Sequence, residues 1–205
     1  MSKKWIVRGV VAAAAVAVVA GAFFVFGGTT KEEVAECPGS FTNEQGGLFV
    51  GSCDVYDENG KPIDLADYKG KYLFLNFWAS WCPFCRIEMP DMEEVWQEHK
   101  GDGNFAMIAV SIPEFGGRTE SEEASKDFFF VQHSFTYQFA YDKNGGAVAV
   151  YEMPGLPTTY LVNPDGQVSA IMPGGRHWAS ATCQKLLATW IAGQEITRGV
   201  FNGCR

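Results

Sequence analysis

One boundary in the chain constrains its fold more than any other. The run Tyr72-Leu73-Phe74-Leu75-Asn76-Phe77-Trp78 is apolar at nearly every position, and it gives way at Ala79-Ser80-Trp81 to Cys82-Pro83-Phe84-Cys85. A strand without a polar face predicts burial on both sides, as in a parallel sheet. Pro83 suits the first turn of a helix, because its φ is pre-set and its missing N–H would lack a partner there anyway. The spacing thus predicts a strand that ends just before the cysteines and a helix over about 83–100. That helix carries Ile87, Met89, Met92, Val95 and Trp96 among charged positions, with Pro90 expected to kink it.

Two sulfurs at a helix N-terminus have a chemistry of their own. Cys82, at or beside the N-cap, faces unpaired N–H groups and the positive end of the macrodipole, which favours its thiolate. Cys85 lies three residues on, along the same helix face and within disulfide reach. Such a dithiol can attack a foreign disulfide through Cys82 and be released by Cys85. A structural disulfide or half of a zinc site are the competing readings. Zinc needs four ligands, yet the chain has no second C-x-x-C, and His99, His133 and His177 are scattered without ligand spacing. Haem attachment would require histidine where Arg86 stands. No metal and no cofactor is expected.

The chain of 205 residues, 47% hydrophobic, can bury one full core. Its net charge of −8 argues against nucleic acid or an anionic membrane surface as the main partner. Six cysteines, four of them (Cys37, Cys53, Cys183, Cys204) outside the C-x-x-C, point to export from the reducing cytoplasm. Lys3, Lys4 and Arg8 precede the uncharged run Gly9 to Phe26, eighteen residues and near the lower limit for a membrane span. The basic side is expected to stay cytoplasmic, with everything after Thr29 outside. Ala20-Gly21-Ala22 has the form of a signal-peptidase site. The run continues past it through Phe23-Phe24-Val25-Phe26, which favours an uncleaved anchor over a cleaved signal.

Residues 29–47 read as a polar linker, followed by a strand over Leu48 to Val55 and a turn at Asp57-Glu58-Asn59-Gly60-Lys61-Pro62. Beyond the central strand and helix, a second apolar strand over Phe105 to Ile112 completes a right-handed parallel unit. A helix is predicted over Glu120 to Gln132, with Phe128-Phe129-Phe130 in the core. A strand over Phe135 to Tyr141 and a short helix over Ala147 to Glu152 come next. Strands Thr159 to Val162 and Gln167 to Met172 flank the turn Asn163-Pro164-Asp165-Gly166 as an antiparallel hairpin, and a last helix spans Trp178 to Ala192.

Three stretches together resemble the thioredoxin superfamily, and within it the membrane-anchored TlpA/ResA-type thiol–disulfide oxidoreductases. They are Asn76-Phe77-Trp78-Ala79-Ser80-Trp81-Cys82-Pro83-Phe84-Cys85, Glu88-Met89-Pro90, and Gly155-Leu156-Pro157-Thr158-Thr159-Tyr160-Leu161-Val162-Asn163-Pro164-Asp165-Gly166. The resemblance covers about Leu48 to Ala192. It implies an α/β thioredoxin fold: a central mixed β-sheet flanked by helices, with an N-terminal extension and an inserted helix–strand element. The expected organisation is an anchor or signal segment (1–28), a linker (29–47), a thioredoxin-like domain (48–193) and a C-terminal tail (194–205).

The resemblance further implies a cis Leu156–Pro157 bond beside the sulfurs, where a client strand pairs with the backbone before the proline. Trp81, Pro83, Leu156 and Pro157 would form the substrate surface. Thioredoxin proper has a buried aspartate on the central strand where this chain has Asn76, and an amide cannot carry a proton. Glu88, one helical turn beyond Cys85, resembles the acid of the TlpA/ResA-type subset and takes that role.

The remaining cysteines are structural disulfide candidates. Sequence neighbours, Cys37–Cys53 and Cys183–Cys204, are the first choice, each bridge worth on the order of 3 kcal/mol, with Cys37–Cys204 the alternative. The resulting expectation is an extracytoplasmic reductase of client cysteine pairs, for example in cytochrome c maturation or copper-site assembly, supplied by a membrane-embedded thiol electron donor. A general oxidant of secreted proteins is the alternative within enzymes. A copper-binding thiol protein is the alternative from another class, disfavoured by an expected buried Cys85 and adjacent Pro157.

Overall fold

The computed structural model describes residues 55–151 and 153–205, together with the backbone of Phe41–Thr42 and Leu48–Phe49. The expected anchor, Cys37, Cys53 and all of the expected linker except Phe41–Thr42 lie outside the described residues. Among the described residues no helix is long and apolar enough to cross a membrane.

Strands β1 (Phe41–Thr42) and β2 (Leu48–Phe49) pair antiparallel, and β3 (Val55–Tyr56) begins the main sheet. Of the strand expected over Leu48 to Val55, the described residues show β2 and the start of β3, which belong to different sheets, and residues 50–54 lie outside the described residues. β4 (Tyr72–Trp78) leads into helix α1 (Pro83–His99), and β5 (Phe105–Ser111) returns parallel to β4. A short hairpin, β6 (Glu114–Phe115) and β7 (Arg118–Thr119), and helix α2 (Glu122–Lys126) follow. Then come β8 (Gln138–Asp142), α3 (Gly146–Val150), β9 (Thr158–Val162), β10 (Val168–Pro173), α4 (Ala181–Ile191) and α5 (Arg198–Gly203). The six-stranded sheet runs β10-β9-β4-β5-β8-β3. β4, β5 and β8 are parallel, whereas β9 is antiparallel to β4. This is the mixed, helix-flanked sheet of a thioredoxin-like fold.

β4 sits inside the sheet, and its side chains alternate between two cores. Leu73, Leu75 and Phe77 pack with Ile108, Val110, Tyr151 and Tyr160 on one face. Phe74 and Trp78 pack on the other face with Met89 and Met92 of α1 and with Trp178, Leu186 and Trp190. By the same alternation Asn76 falls on the α1 side, which puts a polar side chain in the middle of an apolar core.

Several boundaries differ from the sequence reading, for identifiable reasons. The helix expected over 120–132 is α-helical only over Glu122–Lys126 and widens into a π-helical stretch at Asp127–Gln132. Three adjacent aromatics cannot share one face of a regular helix. Here Phe128 and Phe129 are buried and Phe130 remains 37% exposed. The last helix starts at Ala181 rather than Trp178, because Ser180 caps it by accepting from Cys183 N. Pro90 lies inside α1, which continues across it. The expected tail contains α5, capped by Thr197.

Candidate active site

The redox turn is built as a helix N-terminus. Cys82 is the N-cap of α1, and its sulfur accepts from Cys85 N at 3.3 Å. Cys82 and Cys85 are joined in a disulfide with Cα atoms 5.3 Å apart. Cys85 is fully buried and Cys82 is 3% exposed, whereas Phe84 and Ile87 beside them stand out at 64% and 58%. The Leu156–Pro157 peptide is cis, and the Leu156 carbonyl lies 3.5 Å from the Cys82 sulfur. The structure therefore brings Cys82, Cys85, Pro83, Leu156 and Pro157 to one end of the sheet. Trp81 is half-buried there with the Arg118 guanidinium 5.3 Å above its ring, a cation–π contact.

Glu88 is completely buried. Its carboxylate accepts from Asn76 Nδ2 at 2.9 Å, from the Arg176 backbone N–H at 3.0 Å and from Trp178 Nε1 at 3.2 Å. Burial outweighs these three donors and the nearby Arg176 charge, and pushes the Glu88 carboxyl up to about 8. Asn76 also donates to Thr159 Oγ1 at 2.9 Å, while its Oδ1 has no partner among the described residues. Rotating the amide would turn Oδ1 toward Glu88 as an acceptor for the protonated acid.

This acid makes stability depend on pH with a definite sign. In the unfolded chain Glu88 ionises near 4.5, but in the fold it keeps its proton to about 8. Folded protein binds more protons across that interval, so stability is greatest below it, falls as pH rises through it, and levels off above. Urea unfolding at intervals across this range should show a loss on the order of a few kcal/mol, and Glu88→Gln should flatten the profile.

Two features of the site were not visible in the sequence. Trp178 and Arg176 supply two of the three donors on Glu88 from the segment after β10, a placement that no local pattern announces. Glu120 ties the insert to the redox turn. Its carboxylate accepts from Ser80 N at 2.8 Å and from the Ser80 hydroxyl, and also from Ser111 and Ser125 Oγ, each at 2.7 Å. Cys183 and Cys204, both fully buried, are joined in a second disulfide, one of the two pairings of sequence neighbours expected from the sequence, and it fastens α5 and the C-terminus to α4.

The model of the AhpC/TSA family matches residues 48–171. Thiol-disulfide oxidoreductase ResA of Oceanobacillus iheyensis is 35% identical over 112 residues, which cover 55% of this chain and 54% of the relative. ResA of Bacillus thuringiensis subsp. konkukian is 37% identical over 139 residues, covering 68% of this chain and 70% of the relative. The chain thus spans about half of one relative and 70% of the other. Among solved structures, thiol:disulfide interchange protein DsbE from Chlorobium tepidum is similar with a TM-score of 0.55 and 27% identity. That match covers 65% of this chain and 89% of the other. With the family model, the fold and the C-x-x-C at the head of α1 in agreement, the chain belongs to the AhpC/TSA family, as a thioredoxin-fold protein of the TlpA/ResA type.

Proposed function

We infer that this protein is a thiol–disulfide oxidoreductase acting on cysteine pairs of client proteins. The observation that carries the reading is the placement of Cys82. Its sulfur accepts a backbone N–H at the N-terminus of α1, is paired with Cys85, and faces the Leu156 carbonyl. In the reduced protein, the Cys82 thiolate attacks one sulfur of a client disulfide, forming a mixed disulfide and releasing a client thiolate. Cys85 then loses its proton, and its thiolate attacks Cys82. The Cys82–Cys85 bond forms, the second client thiolate leaves, and two electrons have passed to the client.

Glu88, one turn beyond Cys85 on α1, is suited to take that proton. An acid poised near neutral pH can serve in both directions. When the protein's own disulfide is reduced again, protonated Glu88 returns the proton to the leaving Cys85 sulfur. Exposed Phe84, with Trp81, Pro83, Leu156 and Pro157, forms the surface on which the client strand lies.

The TlpA/ResA resemblance and the basic, apolar N-terminal segment support an extracytoplasmic reductase held at the membrane by residues 1–28. Its clients would be cysteine pairs such as those of haem-attachment or copper-site proteins, and its electrons would come from a membrane-embedded thiol donor.

Equilibration of the Cys82/Cys85 couple against glutathione or dithiothreitol tests the direction. The reductase reading expects a potential of about −270 mV or lower, whereas a value of about −120 mV would assign the oxidant instead. Exchange with a disulfide substrate should be abolished in Cys82→Ser. Glu88→Gln should slow it on the order of 10²-fold near neutral pH, and unchanged kinetics across pH would remove Glu88 from the mechanism.

A further inference from the structure

The second disulfide lies at one end of a continuous chain of contacts that ends on Glu88. Cys183 of α4 holds Cys204, and the Cys204 carbonyl accepts from Arg176 Nη1 at 2.8 Å. Arg176 Nη2 donates to the Pro173 carbonyl at 3.2 Å, so the guanidinium bridges β10 and the C-terminus. The next residue is held from the same side, with His177 N donating to the Arg205 carbonyl at 3.3 Å. Between these anchors, the Arg176 N–H and the Trp178 indole reach Glu88. The strap 174–178 is therefore held on one side by the disulfide-tethered C-terminus and delivers two donors to the buried acid on the other. Gly175 brings the strap against the redox turn, where an added Cβ would stand 3.1 Å from both Cβ and carbonyl oxygen of Phe84.

We propose that the Cys183–Cys204 disulfide, through the Cys204 carbonyl and the Arg176 guanidinium, holds the strap in the position from which the Arg176 N–H and the Trp178 indole donate to Glu88. This rests on the reading of Glu88 as the proton carrier of the dithiol and assigns Arg176 as its positioning residue. Among the described residues, Tyr137 before β8 is a further titratable group that feels the Glu88 charge; Cys82 and Cys85 stand at the head of the same helix, and Asp91, three residues beyond Glu88 in α1, faces His177 of the strap. The Asp91 and His177 side chains lie 3.7 Å apart. The Tyr137 phenol is buried and pushed well above its usual range, and its hydroxyl lies 3.5 Å from the Met89 carbonyl. It is neutral wherever Glu88 titrates. The Arg176 guanidinium is anchored on the Cys204 carbonyl that the disulfide tethers, and the backbone N–H of the same residue donates to Glu88.

The test follows the Glu88 carboxyl directly by carbon NMR across pH, alongside the pH profile of thiol alkylation in reduced protein. Arg176→Ala, which leaves the disulfide intact, should raise the Glu88 midpoint by about half a pH unit or more, about a threefold gain in proton affinity. Cys183→Ala with Cys204→Val, which keeps the site apolar and filled, should raise it in the same direction. Combining the two should shift it no further than the larger single effect, because both act through one guanidinium. Arg176→Lys should restore only part of the wild-type value, since a lysine ammonium cannot bridge the Pro173 and Cys204 carbonyls as a fork.

An unchanged midpoint in Arg176→Ala overturns the proposal, and this variant decides the matter even if the double cysteine variant fails to fold. Additive shifts in the combined variant, or an unmoved midpoint in a folded cysteine variant, overturn the disulfide's part. Should Glu88→Gln leave exchange kinetics untouched, the proton-carrier reading fails, while the carboxyl titration still decides whether the strap controls Glu88.

Discussion

Asn76→Asp is expected to lower stability by about 3–5 kcal/mol above the Glu88 titration and by much less below it, the penalty being that of an uncompensated buried charge. Asn76 and Glu88 are both fully buried, and the amide nitrogen lies 2.9 Å from the carboxylate. An aspartate would place two carboxyl groups within hydrogen-bond distance, where they can share one proton but cannot both ionise cheaply. Thr159 can turn its hydroxyl to donate to the new carboxylate, which compensates one of its oxygens at most. The pair should therefore hold its last proton to higher pH than Glu88 alone. Urea unfolding of wild type and variant at about pH 5 and about pH 9 measures the difference. Equal losses at both values would show that the two side chains do not face each other as described.

Cys85→Ser should convert a transient intermediate into a stable product. Cys85 is buried directly behind Cys82 and forms the bond that ends the cycle. The attack of Cys85 on Cys82 is intramolecular, with the advantage that fixed geometry confers. Without it, release of the client must wait for an external thiol and should slow on the order of 10³-fold or more. Non-reducing electrophoresis followed by mass spectrometry should find Cys82 joined to a client cysteine in Cys85→Ser and no adduct in Cys82→Ser. Comparable adduct formation through Cys85 in Cys82→Ser would reverse the assignment of nucleophile.

Much of this arrangement is legible in the residues because it is local. The run Tyr72 to Trp78 followed by Cys-Pro-Phe-Cys announces a strand, a sharp boundary and a helix with sulfurs at its head, each feature contained within a few positions. The order of β4, α1, β5, β9 and β10 follows from apolar runs and turn residues in the same way. The surroundings of Glu88 do not. Its position one turn beyond Cys85 can be counted along a helix, but its burial depends on Trp178, ninety residues away in sequence, and on a strap closed from the C-terminus. Glu120 is equally opaque: an acidic residue ahead of a helix ordinarily serves the dipole, and only the tertiary structure turns its carboxylate toward Ser80. The π-helical stretch at Asp127–Gln132 shows packing overriding local propensity, since burying Phe128 and Phe129 against Trp78 requires a wider turn.

Gly175 lets the strap lie close against the redox turn. A side chain added there would meet Phe84 at 3.1 Å, so a substituted strap must either settle farther from the redox turn or displace Phe84 by a few tenths of an ångström. A bulkier residue that pushed the strap outward would withdraw donors from the buried acid, and so leave its proton held more tightly.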